Sequence, residues 1–505
     1  MQKKIIFITV LLTAIFIYGT NMNKKTVLHV GFPSNWGTLI PSLQHTGYAD
    51  AIMANQFEAL VTTGQGGTTK PLAAKSWKVS DDSRIFTFII DTDKYFSSGK
   101  QLSAKDFKRS WEHGLSLSPK SANSSLLDVM YKVVGFKEFK KKGTLDGVRV
   151  INENTLEVEF QEPFRMALNH LAGSRMSAFV IEGDKYIGTG PYVIKEEKSR
   201  LILSKNLHSN EDIGFSNIEV KVVQPSEATA ALENGIVDVY ALAEFAHIGE
   251  CLEENKNIAC FSGSEARHQT LMLNGMNGRF FENKNHRLAI QAMVYKHLQK
   301  DILPTYHKYN LNIDPQIYLP LQMGRIDDSE AENLINIGND YIKELVKASQ
   351  KTPIFFVTSE ETNWLFDILK SEGVLFDEKS GHINTPDRIK MYYKTYDADI
   401  IVMPFSVASG DPDGIYHTLG KSGSISSPIQ FRKSVSDLLE EGRKIINLSE
   451  ADLHYKKVSI ETLKEVPFVH IGFTKSIVAY RKDVIKIKGK LKKRDESRFS
   501  IFEAN

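Results

Sequence analysis

Cysteine is almost missing from this sequence, with two in 505 residues. A fold stapled by many disulfides is excluded, and so are cysteine-rich zinc modules. An excess of one charge is missing too. Sixty-three Lys and Arg stand against sixty-one Asp and Glu, a formal net charge of +2. Such a chain has no electrostatic footprint for nucleic acid. After the N-terminus no apolar run reaches the about 20 residues that a membrane-spanning helix needs. The marks of catalysis are also wanting. There is no Gly-x-Ser-x-Gly, no His-Glu-x-x-His and no Walker loop, and none of the fourteen histidines pairs with another at i, i+4. Gly64-Gln65-Gly66-Gly67 lacks the Lys-Ser/Thr ending of a phosphate loop. Asp411-x-Asp413-Gly414 lacks the further ligands of a calcium loop and reads as a turn. The expectation is a protein without enzymatic activity and without a resident cofactor or metal.

What is present is an ordinary globular composition, 42% hydrophobic and 25% charged. Lys3 and Lys4 precede an apolar run from Ile5 to Tyr18. That is the pattern of a secretory signal. Ile17 is bulky for the −3 position of a cleavage site, whereas Gly19 suits −1. Residues 1–25 therefore read as a signal peptide or an uncleaved N-terminal anchor, and no Cys follows to carry a lipid. Export favours a disulfide between Cys251 and Cys260, which flank an eight-residue segment; two free thiols are the alternative.

Along the chain, short strands alternate with helices, which predicts an α/β fold. Thr26–Gly31 reads as a strand, and Trp77–Ser80 with Ile85–Ile90 as a hairpin around a polar turn. Ser103-Ala104-Lys105-Asp106 has the form of a capping box, with Phe107 and Trp111 on one face of the helix it opens. Helices are also expected from a cap at Ser226 to a stop at Asn234-Gly235, at Asn285–Leu298, Trp364–Leu369 and Ser434–Ile446, and after Ser449. Ile400–Phe405 reads as one buried strand. The lysines from Lys486 to Lys493 alternate with apolar residues and read as a wet strand face and tail, with a membrane-surface patch as the alternative.

Five ordered motifs carry a family resemblance. The first runs from Phe57-Glu58-Ala59-Leu60 through Pro71-Leu72-Ala73-Ala74-Lys75-Ser76-Trp77 to Leu102-Ser103-Ala104-Lys105-Asp106-Phe107. Next come Gly147-Val148 with Thr155-Leu156, then Gly188-Thr189-Gly190-Pro191-Tyr192. Leu232–Asp238 and Asn285–Ile290 complete the series, and Gly410-Asp411-Pro412-Asp413 falls where a ligand-side loop is expected. Together they resemble the family 5 extracellular solute-binding proteins, the oligopeptide-, dipeptide- and nickel-binding proteins of ABC importers.

The resemblance implies an α/β, two-lobed periplasmic binding protein fold, type II and cluster C-like, with an extra domain inserted in the first lobe. Lobe I would comprise residues 26–50, 182–264 and 472–505, the inserted domain II residues 51–181, and lobe III residues 265–471. It implies a periplasmic monomer that closes on a peptide or peptide-like small molecule and delivers it to an ABC permease in the inner membrane. A non-peptide ligand (a metal chelate or haem) and a role as ligand sensor stay open. The ligand-binding residues implied are Trp36, Thr46, Gly47 and Tyr48 from lobe I, and Phe405, Ala408 and Ser409 from lobe III. In the dipeptide-binding pattern, the position of Ala408 holds an Asp that anchors a free α-ammonium. An alanine cannot do so. Either the ligand has no free α-amine there, or Asp411 substitutes.

Overall fold

Apolar side chains at every second position decide where this chain forms strands. In a computed structural model, β1 (Val27–Phe32) buries Leu28 and Val30 and leaves Val27 and His29 partly open. The structure describes residues 26–43, 46–63, 69–117, 126–197, 200–243, 257–300, 311–358, 363–383, 385–406, 411–421, 423, 426–487 and 498–504. No described helix is long and apolar enough to cross a membrane.

After β1 comes the short helix α1 (Gly47–Met53). The chain then enters a separate antiparallel sheet, built from β2 (Ala74–Val79), β3 (Ile85–Ile90), β4 (Val148–Asn152) and β5 (Thr155–Glu159), in the order β2-β3-β5-β4. Helix α2 (Ala104–Leu117) covers it. Phe86, Phe88, Leu156 and Val158 meet Phe107 and Trp111 in a core of their own, which runs from Ala59 to Val180. Half of the capping box at Ser103 forms: the Asp106 carboxylate accepts from the Ser103 N–H at 3.0 Å. The other half is changed, because the Ser103 hydroxyl donates to the same carboxylate at 2.8 Å and the Asp106 N–H goes to the Ser103 carbonyl at 3.1 Å.

The chain returns through Gly188-Thr189-Gly190. Neither glycine adopts a positive φ. Their reason is close approach. A Cβ on Gly188 would lie 2.1 Å from the Gln56 carbonyl oxygen, and one on Gly190 2.7 Å from that of Asn55. Beside them sits Glu58, 1% exposed, accepting from Lys94 (2.8 Å), Thr189 (2.9 Å) and Arg498 (3.2 Å). Burial pushes this carboxyl up, but Lys94 and Arg498 outweigh it and hold it below its usual range. Glu58 thus clamps the start of the inserted domain, its return and the C-terminus together.

The main sheet then grows through β6 (Tyr192–Glu197), β7 (Arg200–Lys205) and β8 (Asn217–Val222). Helix α3 (Ala228–Glu233) leads to β9 (Val239–Ala243). β10 (Ile258–Leu273) carries the chain across to the other lobe, where α4 (Lys284–Lys300), β11 (Phe356–Thr358), β12 (Ile400–Val402) and β13 (Phe405–Ser406) follow. Ile400–Phe405 is therefore two strands. Pro404 has no N–H to continue the ladder, while the Met403 N–H still reaches the Thr270 carbonyl at 3.1 Å. Helices α5 (Lys433–Gly442) and α6 (Leu448–Glu465) precede β14 (Phe468–Arg481), which crosses back.

The sheet order is β6-β7-β8-β1-β9-β14-β10-β12-β11, extended by Gly381–His382, with β13 also on β10. β1 pairs in parallel with β8 and β9, whereas β10 and β14 are antiparallel. These two long strands pass through both halves of the sheet. Their register shifts between Ser262 and Ala266, and again between Gln269 and Thr270. On one side of the shifts lies a core of Leu28, Val30, Ile52, Leu203, Val239 and Val478. On the other lie cores around Leu271, Leu273, Ile400 and Val469, and around Tyr392, Tyr416 and Tyr455. Two strands crossing between separate cores make a hinge-bearing connection. Cys260 lies on β10 opposite Ala479, and no described cysteine is a free thiol; Cys251 lies outside the described residues.

Replacing Glu58 by Ala removes the shared acceptor of Lys94, Thr189 and Arg498, of which Arg498 keeps Glu211 at 2.8 Å. We expect a loss of about 3 kcal/mol in urea unfolding; a loss under about 1 kcal/mol, typical of an exposed pair, would show that the clamp is not structural.

Candidate functional site

The lobe I residues expected at the ligand fall into one corner. Thr46 caps α1: its hydroxyl accepts from the Ala49 N–H at 3.1 Å and donates to the Trp36 carbonyl at 2.7 Å. That bond ties the segment after β1 to the helix. Trp36 is half-buried, against the lobe I core on one side and Phe57 and Phe179 on the other. Tyr48 meets Phe32 edge-on at 5.8 Å. Gly47 is exposed, and a side chain there would touch nothing within 4 Å.

Phe405 is on the other lobe. It is 6% exposed, stacks on His268 with ring centroids 4.5 Å apart, and meets Phe468 edge-on at 5.8 Å. Ala408 and Ser409 lie outside the described residues. His268 belongs to the stretch of β10 between the two register shifts. Its Nδ1 is 3.1 Å from Nε2 of His470, on β14, whose Nδ1 is 2.6 Å from the Asp314 carbonyl oxygen. Burial keeps both imidazoles well below their usual pKa, His470 at about 4.

A second set of groups includes Asp411 and Asp413 of the Asp-Pro-Asp loop, with partners that no sequence motif marks. It joins the inserted domain to lobe III. Asp413 is fully buried and accepts from Arg443 at 2.9 Å, from His170 at 2.7 Å and from Tyr455 at 3.3 Å. Arg443, with no exposure, lies 3.7 Å over the Tyr416 ring and donates to the Tyr131 hydroxyl at 2.8 Å. Tyr131 meets the Tyr416 hydroxyl at 2.8 Å, and Tyr416 hydrogen-bonds Glu440. Next to this cluster, Arg165 donates to Asp411 at 2.8 Å and to the Ile445 carbonyl at 3.1 Å. Tyr131, Arg165 and His170 come from the inserted domain; Asp411, Asp413, Tyr416, Glu440 and Arg443 come from lobe III. Lys132 reaches Glu440 at 3.4 Å across the same boundary.

The electrostatics follow from burial. Burial raises the Asp413 carboxyl, but Arg443 and His170 outweigh it and hold it at about 2. Burial lowers His170 to about 4 against the pull of Asp413. His170 is thus a neutral ring donating its Nε2–H. Asp411 is raised by burial, which Arg165 only partly offsets. Its two oxygens are already used, Oδ2 by Arg165 and Oδ1 by the Asp413 N–H at 2.9 Å. For Asp411 to replace the missing anchor at Ala408, the contact with Arg165 would have to break. Asp411 and Asp413 together form a turn and an interdomain joint.

A sheet split into two halves by a pair of crossing strands, with side chains meeting across the gap, defines a two-lobed binding protein. The model of the bacterial extracellular solute-binding proteins, family 5 (Middle), matches residues 68–320, half of the chain, and the chain belongs to that family. It is 28% identical over 198 residues to the dipeptide-binding protein DppE of Bacillus subtilis (strain 168), covering 36% of each chain. It is 29% identical over 171 residues to the periplasmic oligopeptide-binding protein OppA of Escherichia coli (strain K12), covering 31% of each. These matches span about a third of the curated relatives' length. The solved structure of the Escherichia coli murein tripeptide binding protein MppA superposes with a TM-score of 0.79 at 17% identity, covering 95% of this chain and 98% of that one. The fold is that of the two-lobed periplasmic binding proteins.

His170 and Asp413 make the joint acid-sensitive, with one sign for both. Each folded pKa lies below its unfolded value, so the unfolded chain binds more protons and stability is lost as the pH is lowered. For His170 the fall runs from about 6.5 to about 4, and for Asp413 from about 3.8 to about 2. We expect the urea midpoint to drop between pH 6.5 and 4, and to drop less in His170→Gln. An identical pH profile in the variant would contradict this assignment.

Proposed function

We propose that this chain is the substrate-binding component of an ABC importer. It closes two hinged lobes on a peptide or peptide-like small molecule and presents the closed form to a membrane permease. It makes and breaks no bonds in that molecule. The observation that carries the reading is the joint between bodies with separate cores: Arg165 on Asp411, and Tyr131 and His170 on the Asp413–Arg443 pair. Such contacts differ between parted and closed lobes, and a ligand can shift that equilibrium only through its differential affinity for the closed form. Similarity to dipeptide-, oligopeptide- and murein tripeptide-binding proteins supports a peptide as the ligand class. Membership of an extracellular family, with the signal-like N-terminus, supports export to the periplasm, by a cleaved signal or on an uncleaved anchor. We further propose that the division into lobe I, inserted domain II and lobe III follows the three sets of cores, and that Trp36, Thr46, Gly47, Tyr48 and Phe405 face the ligand.

Native mass spectrometry of the protein released without denaturation tests this reading. The expected result is a bound species of small-peptide mass. Adding that species back to stripped protein then raises the melting temperature, since a hundredfold excess over Kd stabilises the folded state by about 2.7 kcal/mol. A bare protein mass, with no shift from peptide mixtures, would contradict it.

A further inference from the structure

One leucine of lobe III strains the backbone and packs against nothing. The chain reverses at Leu319-Pro320-Leu321-Gln322, where the Gln322 N–H reaches the Leu319 carbonyl at 2.9 Å. Proline at the second position and a left-handed residue at the third are the marks of a type II turn, and that third position suits glycine. Here it holds Leu321, at a φ of 66°. A Cβ is strained in this conformation, and a bulky side chain is an outlier there. Among the described residues, three other non-glycine residues share a positive φ, and each has a local reason. Val466 is buried in a lobe III core, and the Tyr396 hydroxyl donates to the Tyr393 carbonyl at 2.7 Å. Ser83 sits in the polar turn of the β2–β3 hairpin. Leu321 is fully exposed, with no packing to offset its backbone.

The turn is nevertheless held on both sides. Gln322 Oε1 accepts from the Leu319 N–H at 2.9 Å, and Arg325 donates to the Tyr318 carbonyl at 2.7 Å. The Gly324 N–H goes to Asp452 at 2.9 Å, and the Ser459 hydroxyl donates to the Gly324 carbonyl at 2.6 Å, so the turn is fastened to α6. Strain of this kind persists only where the surroundings enforce it, and it collects at functional sites.

The start of α6 also exposes Leu448 and Leu453, each more than half open to solvent. Leu448 lies one turn before Asp452 on the same face. The segment leading into α6 touches the inserted domain: Lys444 pairs with Glu162 at 2.9 Å, and the Ile445 carbonyl accepts from Arg165 at 3.1 Å. The exposed leucines thus lie beside the interdomain joint. Carboxylates border them. Asp327, Asp328 and Glu330 follow the turn and Glu450 opens α6, all exposed. Of the cations nearby, Arg325 is taken by Asp314 and Asp328 and Lys456 by Asp452, which leaves Lys457. An acidic border repels anionic lipid and suits a basic surface.

We propose that Leu321, with Leu448 and Leu453, is the docking point of lobe III for a protein partner, an apolar socket bordered by Lys or Arg on the permease that receives the ligand. The proposal rests on the role in import. A side chain presented on a fixed turn loses little freedom on binding. Its place beside the joint lets one partner contact lobe III and the inserted domain together.

Leu321→Gly separates docking from folding. Glycine suits the turn, so the urea midpoint should hold or rise, and titration with a tripeptide pool should give an unchanged Kd. Uptake of the same pool, isotopically labelled, is read in cells of the native host that carry the variant as their sole copy. It should fall about tenfold or more, and further in Leu321→Asp. Unchanged uptake in both variants would overturn the proposal and leave import standing. A lower urea midpoint, or a loss of affinity matching the loss of uptake, would overturn it too, because the leucine would then serve the fold or the cleft. Leu321-dependent sedimentation with vesicles of phosphatidylethanolamine and phosphatidylglycerol would assign the surface to lipid and overturn it. Failure of the wild-type protein to bind or import the pool would remove the proposed function and this proposal with it.

Discussion

A carboxylate with no access to water must be held by cations and donors, and here that carboxylate is Asp413. Arg443, His170 and Tyr455 satisfy it. One of these three, His170, comes from a different body of the molecule. The cost of leaving such a charge incompletely paired is several kcal/mol, so lobe III and the inserted domain are not indifferent to one another. The inserted domain is in turn clamped to lobe I by Glu58, with Arg498, Lys94 and Thr189. Two buried carboxylates therefore set the mechanics. One ties lobe I to its insertion, and the other ties that insertion to lobe III.

The crossing strands supply the remaining freedom. β10 and β14 keep their ladder through both halves of the sheet except at two register shifts. A continuous ladder resists bending, and a break in register is where pairing is already interrupted. The His268–His470 pair sits at this crossing, tied to the Asp314 carbonyl. Two buried rings thus pack on the stretch of β10 where the ladder changes register.

Much of the frame was legible in the sequence because it is written in local patterns. The strand pattern marked β1, the hairpin around a polar turn marked β2 and β3, and Ser103 with Asp106 marked the start of α2. Other features were legible in position and not in cause. Gly188 and Gly190 mark the return of the chain to lobe I, yet the approach of Asn55 and Gln56 that requires them comes from residues some 130 positions earlier. Pro404 interrupts a run that otherwise reads as one strand. The interdomain joint left no trace at all. Arg165 and Asp411 are 246 residues apart and His170 and Asp413 are 243 apart, so no spacing rule connects them. Asp-Pro-Asp-Gly reads locally as a turn, and it is one; its burial is a tertiary fact. The same holds for His268 and His470, 202 positions apart.

Closure of the inserted domain on lobe III is the claim on which the account stands. Spin labels at Lys141→Cys and Lys433→Cys, both exposed positions on the two bodies, report it by electron–electron distance measurement. Protein as purified, with its co-purifying molecule, should give one narrow distance distribution. Stripped protein should give a broader and longer one, and Arg165→Ala should shift the loaded protein towards it. Identical narrow distributions in all three samples would contradict the account.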